Sequence, residues 1–144
     1  MGIYSVAAAS TATTTGAPIA TIRAGASSRI RLRELGVFCN AATASAVGLI
    51  RASNTATAST SVLGQAYDTG DPASIANLDT AWSAAPTIGT AYMRRVQLPA
   101  AIGAGVIWQF DDLAVGPAGT ASLVLWNFSG STNSVLQIYA VWEE

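Results

Sequence analysis

The chain is broken into short apolar runs that never reach helical length. Runs rich in β-branched and aromatic residues alternate with Gly, Pro, Asn, Ser and Thr clusters every 8–12 residues or so, the spacing of strands in a sandwich or barrel. Ala-rich stretches such as Asn40 to Ala46 have helical propensity. They are interleaved with Thr and Ser, which favour turns and strands, and read as loops. The expected fold is all-β: one jelly-roll-like antiparallel sandwich of about eight to nine strands spanning 1–144.

The expected strands are Ile3 to Ala8, Pro18 to Arg23, Arg29 to Cys39, Val47 to Ala52, Ser61 to Tyr67, Ala91 to Leu98, Val106 to Phe110, Ala121 to Phe128 and Val135 to Trp142. Asp68 to Pro86 reads as the longest irregular stretch, with a candidate helical turn at Ser74 to Leu78. Ala7 to Ala17, uncharged and rich in Thr and Ala, is a candidate extended arm or loop that could add to a neighbour as a strand.

Two strands carry more information than the rest. In Val135 to Trp142, Leu136, Ile138, Ala140 and Trp142 share one face, and Val135, Gln137, Tyr139 and Val141 the other. Both faces are largely apolar, so a second layer or a neighbouring subunit should cover each. Leu123-Val124-Leu125-Trp126 repeats the pattern, and together they suggest self-association. In Arg29 to Cys39, Arg29, Arg31 and Arg33 oppose Ile30 and Leu32, yet Leu35, Val37 and Cys39 take the arginine parity. A bulge near Glu34 to Gly36, or two strands meeting at a corner, would resolve the conflict. Either suits a jelly roll or a barrel.

Charge limits the partners. Only 10% of the residues are charged and the net charge is −1, against about 25% charged residues in an average soluble protein. Such a surface favours association and gives no basis for nucleic-acid or membrane binding. Every basic residue is arginine, the cation suited to buried ion pairs, although GC-rich codon usage accounts for this equally well. On a strand, one of Arg94 and Arg95 should face outward and the other inward or into an interface, and an inward arginine would need a carboxylate. Glu143 and Glu144 should be solvated or pair with arginine across an interface. The start lacks a signal-peptide pattern, Val6 breaks the myristoylation motif, and no apolar run is long enough to span a membrane.

The inventory for site chemistry is thin. Without histidine, Ser–His–Asp and Cys–His arrangements cannot form. One cysteine, Cys39, supplies neither a disulfide nor a zinc site and reads as a small core residue. Asp111-Asp112 should close a strand and open a turn before Leu113. Asp68-Thr69-Gly70-Asp71 reads as a turn; its aspartic-protease triplet lacks the flanking strand pattern, and it falls short of a calcium loop. Gly103-Ala104-Gly105 precedes a strand and so reads as a tight bend rather than a dinucleotide site. No catalytic residue, cofactor or metal is expected, and the chain does not read as an enzyme.

Several stretches together resemble small structural proteins of tailed phages. They are Ile3-Tyr4-Ser5-Val6, Leu32 to Phe38, Gly48-Leu49-Ile50-Arg51, Leu63-Gly64-Gln65-Ala66, Arg94-Arg95 with Leu98-Pro99, Gly103 to Trp108, Pro117-Ala118-Gly119, Leu123 to Asn127 and Val141 to Glu144. The resemblance implies a virion component similar to capsid decoration (cement) proteins. That implies a jelly-roll homotrimer, made in the host bacterial cytoplasm, bound to the major capsid protein on the outer capsid surface. The expected interface residues are Arg29, Arg31, Arg33, Arg94, Arg95, Tyr139 and Trp142. A tail, neck or head-fibre component and a carbohydrate- or receptor-binding module remain as alternatives. Trp108, Trp126 and Trp142 lie in expected strands and Trp82 in the expected loop, where an exposed ring would suit a sugar.

Overall fold

A computed structural model describes residues 2–117 and 122–144. Its strands are β1 (Ile3–Ala9), β2 (Pro18–Arg23), β3 (Ile30–Cys39), β4 (Ser45–Ala52), β5 (Thr57–Leu63), β6 (Gln65–Ala66), β7 (Asn77–Ala84), β8 (Ile88–Leu98), β9 (Gly105–Val115), β10 (Leu123–Trp126) and β11 (Leu136–Glu143). They form two antiparallel sheets packed as a sandwich, ordered β6-β1-β11-β3-β9 and β5-β7-β2-β10-β4-β8. No helix occurs among the described residues. The all-β sandwich holds, with more strands than expected; Ala118, Gly119 and Ala121 lie outside the described residues.

The chain changes sheet at each step from β1 to β4 and again from β8 to β11. Each of these strands turns one apolar face inward. Tyr4, Leu32, Leu35, Val37, Val47, Leu49, Leu123, Leu125, Ile138 and Trp142 form the buried layer between the sheets. Cys39 joins this core.

The parity change in β3 is a bulge at Arg33, one residue before the expected span. Leu32 pairs with Leu113 and Trp142, whereas Glu34 pairs with Gln109 and Val141. Arg33 therefore faces three residues of β9, namely Phe110, Asp111 and Asp112, with no regular partner among them. The slip lets Ile30 and Leu32 face the core together with Leu35 and Val37. It also corrects the turn expected at Asp111-Asp112: the pair lies inside β9, which resumes regular pairing at Leu113.

Asp68 to Pro86 is not one loop. Asp68 does make a turn, accepting the Gly70 amide at 2.8 Å. No helical turn follows at Ser74 to Leu78. Instead β7 begins at Asn77 and pairs with both β2 and β5. The sequence hid this strand because one of its most buried residues is an aspartate. Asp79 is 1% exposed. It accepts Thr21 Oγ1 at 2.9 Å, Ser61 Oγ at 2.5 Å, and Arg23 through Nε at 3.0 Å and Nη2 at 3.2 Å. This contact holds the Arg23 guanidinium more firmly protonated than usual. A buried carboxylate is tolerated when it is paired and its lone pairs are filled in this way.

The strand expected at Ser61 to Tyr67 is divided at Gly64. Only this residue separates β5, in the six-stranded sheet, from β6, in the other. A Cβ at Gly64 would run into the Trp142 ring, so glycine lets the chain cross beside the indole. The segment expected as an arm is tied down as well. β1 extends to Ala9, the Ser10 amide bonds Leu136 O at 2.8 Å, and Asn127 Nδ2 donates to Thr13 O at 2.9 Å.

For β10 the chain covers both apolar faces itself. Leu123 and Leu125 join the main core, and Val124 is buried on the opposite side with Ile50 and Ala52, under Ile88, Tyr92 and Trp126. The chain itself supplies this second layer. Replacing Asp79 by Ala should strand Arg23 and leave two hydroxyls without their acceptor. The expected loss is about 3 kcal/mol, the low end for breaking a buried pair, because Arg23 keeps some contact with water. Urea denaturation measures it; a change within error would show the network to be dispensable.

Candidate functional site

The outer face of the five-stranded sheet sets small residues beside aromatic rings. Outward residues pair in register across it: Ser5 with Val141, Ala7 with Tyr139, Tyr139 with Gly36, Gly36 with Ile107, and Phe38 with Gln137 and Gly105. The two glycines shape this surface. A Cβ at Gly36 would overlap the Tyr139 ring, and one at Gly105 would overlap the Phe38 ring. Both rings therefore lie down over backbone instead of standing up from the sheet. They are nearly parallel, with centroids 6.3 Å apart and an interplanar angle of 11°.

The charged groups on this face find partners within the chain, Glu34 by hydrogen bonds and Arg31 and Arg33 by ion pairs. Tyr139 OH donates to Glu34 at 2.5 Å, and Gln109 Nε2 donates to the same carboxylate at 3.3 Å. Arg33 Nη2 meets Glu143 at 2.6 Å, and Arg33 Nη1 donates to Asp111 O at 2.6 Å. Arg31 lies 3.5 Å from Asp112, both well exposed, a pair worth at most about 1 kcal/mol. What remains outward is mostly aromatic, aliphatic or amide surface. At the β6 margin a groove of about 370 Å³ runs between Tyr139, Ser5, Ala7, Val62, Leu63 and Tyr67. Leu63 is 50% and Tyr67 63% exposed there, beside Glu34 and Gln65.

The expected interface residues do not form one cluster. Tyr139, Arg31 and Arg33 share this sheet, and Arg29 is exposed in the turn just before β3. Arg94 and Arg95 are on β8 in the other sheet. Both are exposed, so neither is the inward arginine that would need a carboxylate; Arg94 sits over the Phe110 ring at 5.4 Å and donates to Met93 O. Trp142 has no exposed surface: its face turns into the core and its Nε1 donates to Glu144 at 2.9 Å. It belongs to the core and is removed from the interface set. Glu143 and Glu144 pair within the chain, not across an interface. Trp82 is in β7, half-buried, with Nε1 donating to Thr21 Oγ1 at 3.3 Å.

Sequence reading missed Glu34, Gly36, Phe38, Gly105 and Ile107. The available signal was a glycine inside an expected strand beside outward aromatic residues. Among the described residues no group of three or more His, Cys, Asp or Glu could hold a metal ion.

The Glu34 hydrogen bond, helped by burial, pushes the Tyr139 phenol up to about 12. The same bond, with that from Gln109, holds the Glu34 carboxyl below its ordinary value. A raised folded-state phenol stabilises the fold fully below about pH 10, the ordinary tyrosine value, and loses that contribution as pH rises toward 12. Glu34→Gln should move the Tyr139 titration back toward 10, read as the phenolate absorbance that Tyr139→Phe abolishes. An unmoved titration would show that the carboxylate does not hold the phenol. Comparison of the chain with protein-family models, curated proteins and solved structures gives no match.

Proposed function

We propose that this chain is a structural protein of a phage particle, a decoration (cement) protein on the outer capsid surface. In this reading it is a homotrimer of jelly-roll subunits that binds the major capsid protein and stiffens the shell. The observation that carries the reading is the outer face of the five-stranded sheet. Its aromatic rings lie over Gly36 and Gly105, and its charges are already satisfied within the chain. A partner docking there desolvates mainly apolar and amide surface, with Glu34 already hydrogen-bonded and Arg33 already ion-paired.

The jelly-roll assignment draws on the strand order. Setting aside β5 to β7, β1-β11-β3-β9 faces β2-β10-β4-β8, eight strands whose chain changes sheet at every step except β4 to β8, which pair as neighbours, an order that fits two interlocked Greek keys. β5 to β7 is then one insertion between β4 and β8 that widens both sheets at the same side.

Light scattering on purified protein should give the mass of three chains. Added to capsids that lack it, the protein should bind and raise their resistance to heat. Tyr139→Glu places an unpaired charge on this face and should abolish both effects while the β-sheet circular dichroism persists. A monodisperse monomer without capsid affinity would overturn the proposal. Particle images with the protein labelled on the tail, neck or head fibre would move it to another part of the virion.

A further inference from the structure

We propose a binding site for a carboxylate-bearing sugar, such as a uronic acid, in the groove beside Arg95 on the six-stranded sheet. The proposal does not rest on the virion reading. Arg23, Arg31 and Arg33 each have a carboxylate partner. Arg95 has none, and it makes no hydrogen bond among the described residues. Its guanidinium is nevertheless held in place. It lies 4.0 Å from the centroid of Phe128 and 5.1 Å from that of Tyr92. Those two rings meet edge-on at 6.0 Å.

The platform is built by sequence. Arg95 pairs with Gly48 of β4, and a Cβ at Gly48 would collide with Tyr92 and crowd Phe128 at 3.2 Å. Glycine there lets both rings settle on the sheet. Stacking on aromatic faces orients the planar fork and leaves its N–H donors free at the edge. Such a fork matches a carboxylate in bidentate fashion.

The groove suits a sugar better than a bare anion. It offers about 460 Å³ between β8 and the loop after β10, lined by Arg95, Gln97, Leu98, Phe128, Gly130 and Ser131. That volume falls within the range of small-molecule sites. The Gln97 amide and the Ser131 hydroxyl also make no hydrogen bond among the described residues. Both are neutral groups that donate and accept, as sugar hydroxyls require. One cation among neutral partners fits a single negative charge on a hydroxylated ring. A phosphate would more readily recruit a cluster of cations.

Titration of the full chain with oligogalacturonate, followed by amide NMR shifts, tests the site. Saturable shifts are expected at Gln97, Phe128 and Ser131, with none from the neutral galactose oligomer. Arg95→Gln should weaken binding at least tenfold, the scale of a charge-assisted bidentate contact. Arg95→Lys keeps the charge but not the fork and should fall nearer to the Gln variant than to the parent. Arg95 is exposed, so both variants should keep the parent's denaturation midpoint. If either fails to fold, Gln97→Ala replaces it, with a severalfold loss expected. No binding of the acidic sugar, equal binding of the neutral one, full affinity in the Gln variant or its replacement, or equally tight binding of inorganic phosphate would overturn the proposal.

Discussion

The sandwich depends on the burial of Trp142. An indole in an apolar layer brings a large favourable area and one N–H that must find an acceptor. Glu144, two residues on, accepts it at 2.9 Å. The same carboxylate accepts the Ser74 hydroxyl and the amides of Ile75 and Ala76. One acidic side chain thus satisfies the core indole and fastens the segment leading into β7. The chain closes over the indole at Gly64, where β5 gives way to β6. The mutual bonds of Gly2 and Glu144, 3.2 and 3.1 Å, hold the two ends of the chain together beside it.

The bulge at Arg33 follows from burying residues of both parities in one strand, and it has an electrostatic consequence. It frees Arg33 from regular pairing and leaves its guanidinium between Glu143 of β11 and the Asp111 carbonyl of β9. The slip that aligns the hydrophobic residues therefore also ties the strands on either side of β3. It keeps the last acidic residue of β11 from standing free on the outer face. Packing and surface neutrality share one cause here.

Fold class was legible because alternation and turn chemistry agree along most of the chain. The parity conflict in β3 announced a bulge to within a residue, since side-chain direction in a strand follows simple counting. Two kinds of residue defeated the same counting. Asp79 looked like a loop residue because the hydroxyls and the arginine that satisfy it lie on other strands. Asp111 and Asp112 looked like a turn because a bulge leaves them without regular partners inside a strand. Long-range pairing decides both, and no local window contains it. Trp142 and Tyr139 show the matching limit for faces. Alternation separated them correctly, but two apolar faces do not say which one meets the core.

The arginines divide by what lies opposite them. On the five-stranded sheet, Arg31 and Arg33 face acidic side chains of neighbouring strands, so their charge is spent within the fold. On β8, Arg94 and Arg95 face rings. A ring orients a guanidinium and attracts it through its quadrupole without using up its N–H donors. A carboxylate partner would occupy those donors. The two outer surfaces of one sandwich thus hold arginine differently, its donors engaged on one and open on the other, a difference set by whether carboxylates or aromatic rings stand across from it.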